Sequence, residues 1–303
     1  MPTQRAAFTL VELLVVLAVL AFGAVLLIPA FAHTRPNAQA AQCLNNMRQL
    51  MAAMSMYTHD NSDFFPPNPD SSFGTPGYNW VAGTASGWMP SISAGGSSQA
   101  GNPDNLKNPA TDLLANYIRT NISLFRCPFD PRVCPYTGSD PSQFGTTVPV
   151  VRSVSMNQGV GTKGSGGSSS APNSAVDGPW LDGSHGHTAN HPYATFGKMT
   201  DFKTARPSDI WVLVDDDPWT INDASEAVIA AMPDLLDYPS VMNGNATAFS
   251  FGDAHAEIHK WKSNLFIHTG VLGKTTAQPG LQFQDWFWWA SHATRNAATG
   301  TVP

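Results

Sequence analysis

Glu12 is the residue whose placement most needs a chemical explanation. It stands inside an apolar run that reaches from Phe8 to Phe31. A charged side chain at the centre of such a helix costs roughly 2.5–3.5 kcal/mol, and less toward its ends. A carboxylate kept there calls for a cationic partner. A second group, Asp215, Asp216 and Asp217, follows the apolar stretch Ile210 to Val214. Carboxylates at a strand end suit a hard cation such as calcium, which takes six to eight oxygen ligands. Because adjacent strand residues face opposite ways, the candidate calcium ligands are Asp215, Asp217 and Asp253. Capping and turn hydrogen bonds are the competing role for these acids. His185, His187 and His191 lie close together in a glycine-containing loop, where zinc would lack a preorganised site and a carboxylate partner. His255 and His259 share one face of a strand and suit sheet packing better than ligation.

Cys127 and Cys134 bracket a short loop holding Pro128 and Pro131. An oxidising compartment would close that pair as a disulfide. A metal pair is disfavoured, because no second cysteine pair or nearby histidine completes a zinc site. Cys43 is left over, as a small packed residue or a thiol for bonding between subunits. There is no Gly-x-Ser-x-Gly, P-loop, dinucleotide fingerprint or His-Glu-x-x-His, and no nucleophile stands out. A non-enzymatic role is therefore expected.

The 303 residues are 42% hydrophobic and only 13% charged, against roughly 25% charged in an ordinary soluble domain. The apolar start accounts for part of that deficit, and a Gly/Ser/Pro/Asn-rich remainder for the rest. A formal charge of −6 and the lack of Lys/Arg runs argue against nucleic acid. About 270 residues follow Phe31, enough for one large domain or two small ones. Arg5, the one cation before the apolar run, favours a cytoplasmic N-terminus.

These residues need elements to hold them. The apolar run is long enough for a membrane-spanning helix, with Pro29 and Pro36 punctuating it. Beyond them Leu44, Met47, Met51 and Met54 recur at spacings of three and four, with Leu50 and Tyr57 alongside. Gln42, Asn45, Asn46, Arg48 and Gln49 fill the opposite face, the pattern of an amphipathic helix laid on a domain. Residues 8–59 would then form an arm of roughly 78 Å. A short capped helix is expected over Thr111 to Ile118. Strands are expected at 122–126, 150–156, 210–215, 246–252 and 254–261, the last two as a hairpin about Gly252-Asp253. The segment from Leu281 to Ala293 closes the domain as helix or strand. Residues 66–110 and 136–190 read as long loops. Tyr78, Trp80 and Trp88 in the first of these either bury a distant part of the domain or offer aromatic faces for a polysaccharide or another subunit. The fold class is α+β, a long N-terminal helix packed on a C-terminal antiparallel sheet domain.

The opening Ala6-Ala7-Phe8-Thr9-Leu10-Val11-Glu12-Leu13-Leu14 resembles the processing segment of type IV pilins and type II secretion pseudopilins. A secretory signal has a shorter apolar region, and a plain anchor has no use for Glu12. The resemblance implies cleavage between Ala7 and Phe8, where relatives usually carry glycine before the cut, followed by methylation of the new amine. Phe8 and Glu12 lie one helical turn apart, and Glu12 would meet the N-terminal amine of a neighbouring subunit. Leu44 to Leu50, Phe125 to Pro128, Arg152 to Asn157, Pro207 to Asp209 and Phe249 to His255 are similar to a large pseudopilin-like group. That group ends in an Asp-Gly strand motif preceded, ten residues earlier, by a histidine. Here Ala254 replaces the glycine, and Met242 or Asn243 fills the histidine position.

The organisation implied is a leader at 1–7, a transmembrane or filament-core helix at 8–31, an amphipathic continuation at 32–59 and an extracytoplasmic domain at 60–303. The partners implied are a prepilin peptidase, other pilin-like subunits and an inner-membrane assembly platform, with no cofactor beyond a possible structural calcium. The alternative is a membrane-anchored domain that binds or cleaves polysaccharide.

Overall fold

The computed structural model describes residues 10–69, 79–83, 99–164, 173–185, 192–267 and 274–303, and in its long first helix the side chains outside 21–35. That helix, α1, runs unbroken over Leu10–Asp60, a length of about 77 Å at 1.5 Å per residue. Pro29 and Pro36 do not divide it. Each proline removes one backbone hydrogen bond, and the turns on either side continue the ladder. The helix ends where Ser62 and Asp63 take left-handed backbone angles, φ 57° and 72°. The Asp63 amide then donates back to the Thr58 carbonyl at 2.8 Å, the closing bond of a helix C-terminus.

Among the described residues nine strands follow: β1 (Val133–Pro135), β2 (Thr147–Pro149), β3 (Val154–Asn157), β4 (Trp211–Asp215), β5 (Ser225–Glu226), β6 (Asp234–Leu235), β7 (Ala246–Phe251), β8 (Ala256–Lys260) and β9 (Thr275–Thr276). Five form the main sheet in the order β5-β3-β4-β7-β8. Its pairings are antiparallel except β3 with β5, which is parallel, so the expected antiparallel sheet is mixed at one edge. The hairpin read from the sequence is β7–β8, with Ser250 opposite Ala256.

The sheet is covered on both faces, which explains why its central strand β4 reads as a continuous apolar run from Trp211 to Val214. On one face α1 packs against β4, β7 and β8; Cys43, Met47, Leu50, Met51 and Met54 meet Val212, Leu213 and Ala248. On the other face Trp211, Val214, Phe249 and Phe251 pack with Trp261, Trp286 and Trp289. The last two tryptophans belong to α2 (Leu281–Ser291). The Trp211 and Trp289 rings stack at 4.5 Å and 13°, and the Trp286 indole donates to the Ile229 carbonyl at 3.0 Å.

Two expected elements take another form. Residues Ile122–Phe125 make a 3₁₀ turn in place of a strand. Its buried Leu124 and Phe125 point into the core beneath α1, an arrangement that a short apolar run permits in either conformation. Thr111 to Ile118 forms successive turns without a regular helix. Asp112 is held in a bridge with Val81, and Arg119 and Thr120 follow with positive φ, which stops the turns from extending into a helix.

Candidate assembly site

The two halves of α1 have opposite surroundings. From Leu10 to Leu20 every residue is exposed, including Glu12, with Leu10 at 73% and Val19 at 66%. Single exposed apolar residues are ordinary, whereas a contiguous apolar stretch marks an interaction site. Among the described residues no helix is long and apolar enough to cross a membrane. Ala7 and Phe8 lie outside the described residues.

From Cys43 to Thr58 the same helix is seated in the domain. The expected stripe is present, with Cys43 joining Met47, Leu50, Met51 and Met54 in the core and Leu44 only half-buried. Each such side chain, fully buried, contributes about 1.5–3 kcal/mol. Asn46, assigned by pattern to the solvent face, is buried. Its amide donates to the Ser123 carbonyl at 3.3 Å and the Arg126 carbonyl at 3.1 Å, fastening the helix to the 3₁₀ turn. Gln39 donates to the Pro128 carbonyl at 3.0 Å, and Tyr117 donates to Asp60 at 3.0 Å.

The cysteines pair otherwise than expected. Cys127 is bonded to Cys43, with Cα atoms 5.1 Å apart, and Cys134 remains a buried free thiol. The reason is the direction in which the loop presents its side chains. Cys134 packs with Ala100 and Val150 in a small separate cluster, while Cys127 faces α1.

Beneath this seat lies a buried acidic layer at the C-terminal end of β4. Ser153 donates to Asp215 at 2.8 Å. Asp216 accepts from Ser155 and from Thr220 at 3.2 Å, and Asp217 accepts the Trp219 amide at 2.9 Å. Burial pushes Asp215 well above the usual carboxylate range and Asp217 up to about 6. Burial likewise raises Asp216, to about 7, and Glu226, well above the usual carboxylate range. Two buried arginines offset part of the charge. Arg132 grips Asp130 through Nε at 3.0 Å and a terminal nitrogen at 2.7 Å. Arg152 spans the carbonyls of Val154, Gly83 and Asp223 at 2.7–3.0 Å, and burial lowers its pKa to about 10.

The expected calcium set does not come together. Trp211 pairs with Phe251, so Asp253, beyond Phe251, sits at the opposite end of β4 from Asp215 and Asp217. Asp253 instead contacts His255 Nδ1 in an exposed turn. His255, in the turn before β8, and His259, within it, serve as packing: His255 stacks on Phe251 at 4.3 Å and His259 on Trp288 at 3.6 Å. Burial depresses His259 to about 4. His185 lies 5.0 Å from the Trp180 ring, whereas His187 and His191 lie outside the described residues. Of the loop aromatics, Trp80 takes the packing role and is fully buried. It stacks on Phe125 at 5.9 Å and donates to the Ala224 carbonyl at 2.9 Å; Tyr78 and Trp88 lie outside the described residues. Asn46, which ties the helix to the 3₁₀ turn, and Ser153, which links the Cys127 amide to Asp215, take roles in the seat that the residue pattern did not assign them.

Comparison with known proteins agrees with this division of the helix. A family described as a protein of unknown function, DUF1559, matches residues 32–211, more than half of the chain. The prokaryotic N-terminal methylation motif matches residues 3–28. No curated protein and no solved structure matches the chain. With a methylation-type start leading into a helix that is exposed at one end and built into an α+β domain at the other, the chain belongs to the DUF1559 family and is a pilin-like pseudopilin.

Proposed function

We propose that this chain is a structural subunit of a type II secretion or type IV pilus-type filament. The observation that carries the reading is the contrast within α1, between the exposed apolar stretch from Leu10 to Leu20 and the part from Cys43 to Thr58 fastened in the domain. In this reading a prepilin peptidase cuts between Ala7 and Phe8, and the apolar half holds the subunit in the inner membrane with its domain outside the cytoplasm. An assembly platform then transfers the subunit into a helical stack. There the new amine of Phe8 would face the Glu12 carboxylate of an adjoining copy. A pair of opposite charges in an apolar core is tolerable where either charge alone is not.

The test is N-terminal sequencing of membrane-derived protein together with imaging of filaments formed by Glu12→Ala. A mature start at Phe8 and loss of filaments in the variant are expected. A start at Met1 or after Ala32, or filaments undiminished by the substitution, would overturn the reading.

A further inference from the structure

We propose that Cys43, Cys127 and Asp215 form a redox-gated site for a zinc-class divalent cation, closed as a disulfide when oxidised and open to metal when reduced. One ligand atom from each residue lies within 4.8 Å of the other two. Tetrahedral zinc with Zn–S bonds near 2.3 Å and Zn–O bonds near 2.0–2.2 Å sets its ligand atoms about 3.3–3.8 Å apart. The three groups therefore need only small adjustments once the sulfur–sulfur bond is broken.

Each ligand comes from a different part of the fold, so the site is assembled by tertiary structure. Cys43 is carried by the seated half of α1, Cys127 by the loop after the 3₁₀ turn, and Asp215 by the end of β4. All three are buried. One residue orients two of them: the Ser153 hydroxyl donates to Asp215 at 2.8 Å and accepts the Cys127 amide at 2.9 Å. Hydrogen bonds of this kind, which fix a ligating carboxylate from behind, are characteristic of built metal sites. Two thiolates and one carboxylate select a borderline-soft ion over calcium or magnesium, with water completing four-coordination.

The chemistry balances as two steps. A dithiol reductant transfers two electrons and two protons to the Cys43–Cys127 bond, giving two thiols, and is itself oxidised to a disulfide. Binding of the cation then releases to solvent both thiol protons and any proton held by the Asp215 carboxyl. In either state α1 stays tied to the domain, by a covalent bond or through the metal. The metal form would also keep Cys43 and Cys127 from mispairing with the third thiol, Cys134.

The test uses the full-length chain in detergent with Cys134→Ser, so that only the pair can supply thiolates. After reduction the protein is titrated with Co²⁺ and then Zn²⁺. One equivalent of Co²⁺ giving a sulfur-to-cobalt charge-transfer band, displaced by Zn²⁺, is expected; the oxidised chain should give none. Asp215→Asn should weaken Zn²⁺ binding by at least about tenfold, a loss typical even of an outer partner, and Cys43→Ser should abolish the band. Absence of the band in the reduced chain, or unchanged affinity in Asp215→Asn, would overturn the proposal. Should Asp215→Asn fail to fold by near-ultraviolet circular dichroism, Ser153→Ala decides: weaker binding supports the site, and unchanged binding overturns it. None of these readouts depends on filament formation.

Discussion

Cys43 on the long helix and Cys127 on the loop it lies against are joined across 84 residues of chain. The bond sits at the rim of the seat, one turn from Asn46 and Met47. It therefore clamps the helix at the point where its exposed half begins to leave the domain.

Closing a loop of that length constrains the unfolded chain by about 4–5 kcal/mol in the chain-entropy model, and loss of a native disulfide commonly costs about 2–5 kcal/mol. Replacing both cysteines with serine should lower the urea unfolding free energy of the oxidised full-length chain by that amount. Replacing Cys134 with serine should change it by less than about 1 kcal/mol, because no bond is lost. A small effect in the double variant would show that apolar contacts alone hold the helix.

Asn46 supplies the polar counterpart of the clamp. Asn46→Ala leaves the carbonyls of Ser123 and Arg126 without their donor, a change worth about 1–3 kcal/mol for buried groups. Exposed Asn45→Ala should have little effect. Urea unfolding of the two variants side by side measures the difference.

Asp112 provides a pH dependence that one substitution can isolate. Its carboxyl is buried, with one oxygen accepting the Leu114 amide at 2.9 Å, and burial raises its pKa to about 7. In the unfolded chain an aspartate titrates near 3.9. Between about pH 4 and pH 7 the folded form therefore holds a proton that the unfolded form has released. Stability contributed by this group is complete below about pH 4 and is lost as pH rises through about 7. Asp112→Asn should flatten that decline, by on the order of 3–4 kcal/mol at most between pH 4 and pH 8. Parallel unfolding curves of the two proteins across this range would refute the assignment.

Ala254 occupies the turn between β7 and β8 at φ 69°, a left-handed angle that costs a residue with a Cβ about 1–2 kcal/mol. The related group places glycine there. Ala254→Gly should raise the thermal midpoint, with a gain of about 1 kcal/mol after the larger entropy of glycine in the unfolded chain is counted. A drop in the midpoint would mean that the alanine methyl makes a contact worth more than the strain.

Much of this protein was legible locally. The cleavage-type start, Glu12 within its apolar run, the three-and-four stripe from Met47 to Met54 and the hairpin about Gly252-Asp253 are each contained in a dozen or so neighbouring residues. Periodicity and turn chemistry operate over that range, so sequence alone determined the helix, its buried face and the β7–β8 pair.

Which distant residues meet was decided by the tertiary structure. Cys127 lies seven positions from Cys134 but faces Cys43, because the loop directs one thiol toward the helix and the other into a separate cluster. Asp253 was drawn away from Asp215 by strand register, which sets it, in the turn after β7, beside the end of β4 opposite to Asp215. Asn46, typed by its neighbours as exposed, is buried because the turn holding Ser123 and Arg126, more than 70 residues away, covers it. A side chain's own sequence neighbourhood carries its propensity and its polarity. Its partners depend on how separate elements pack, and that information is spread over the whole chain.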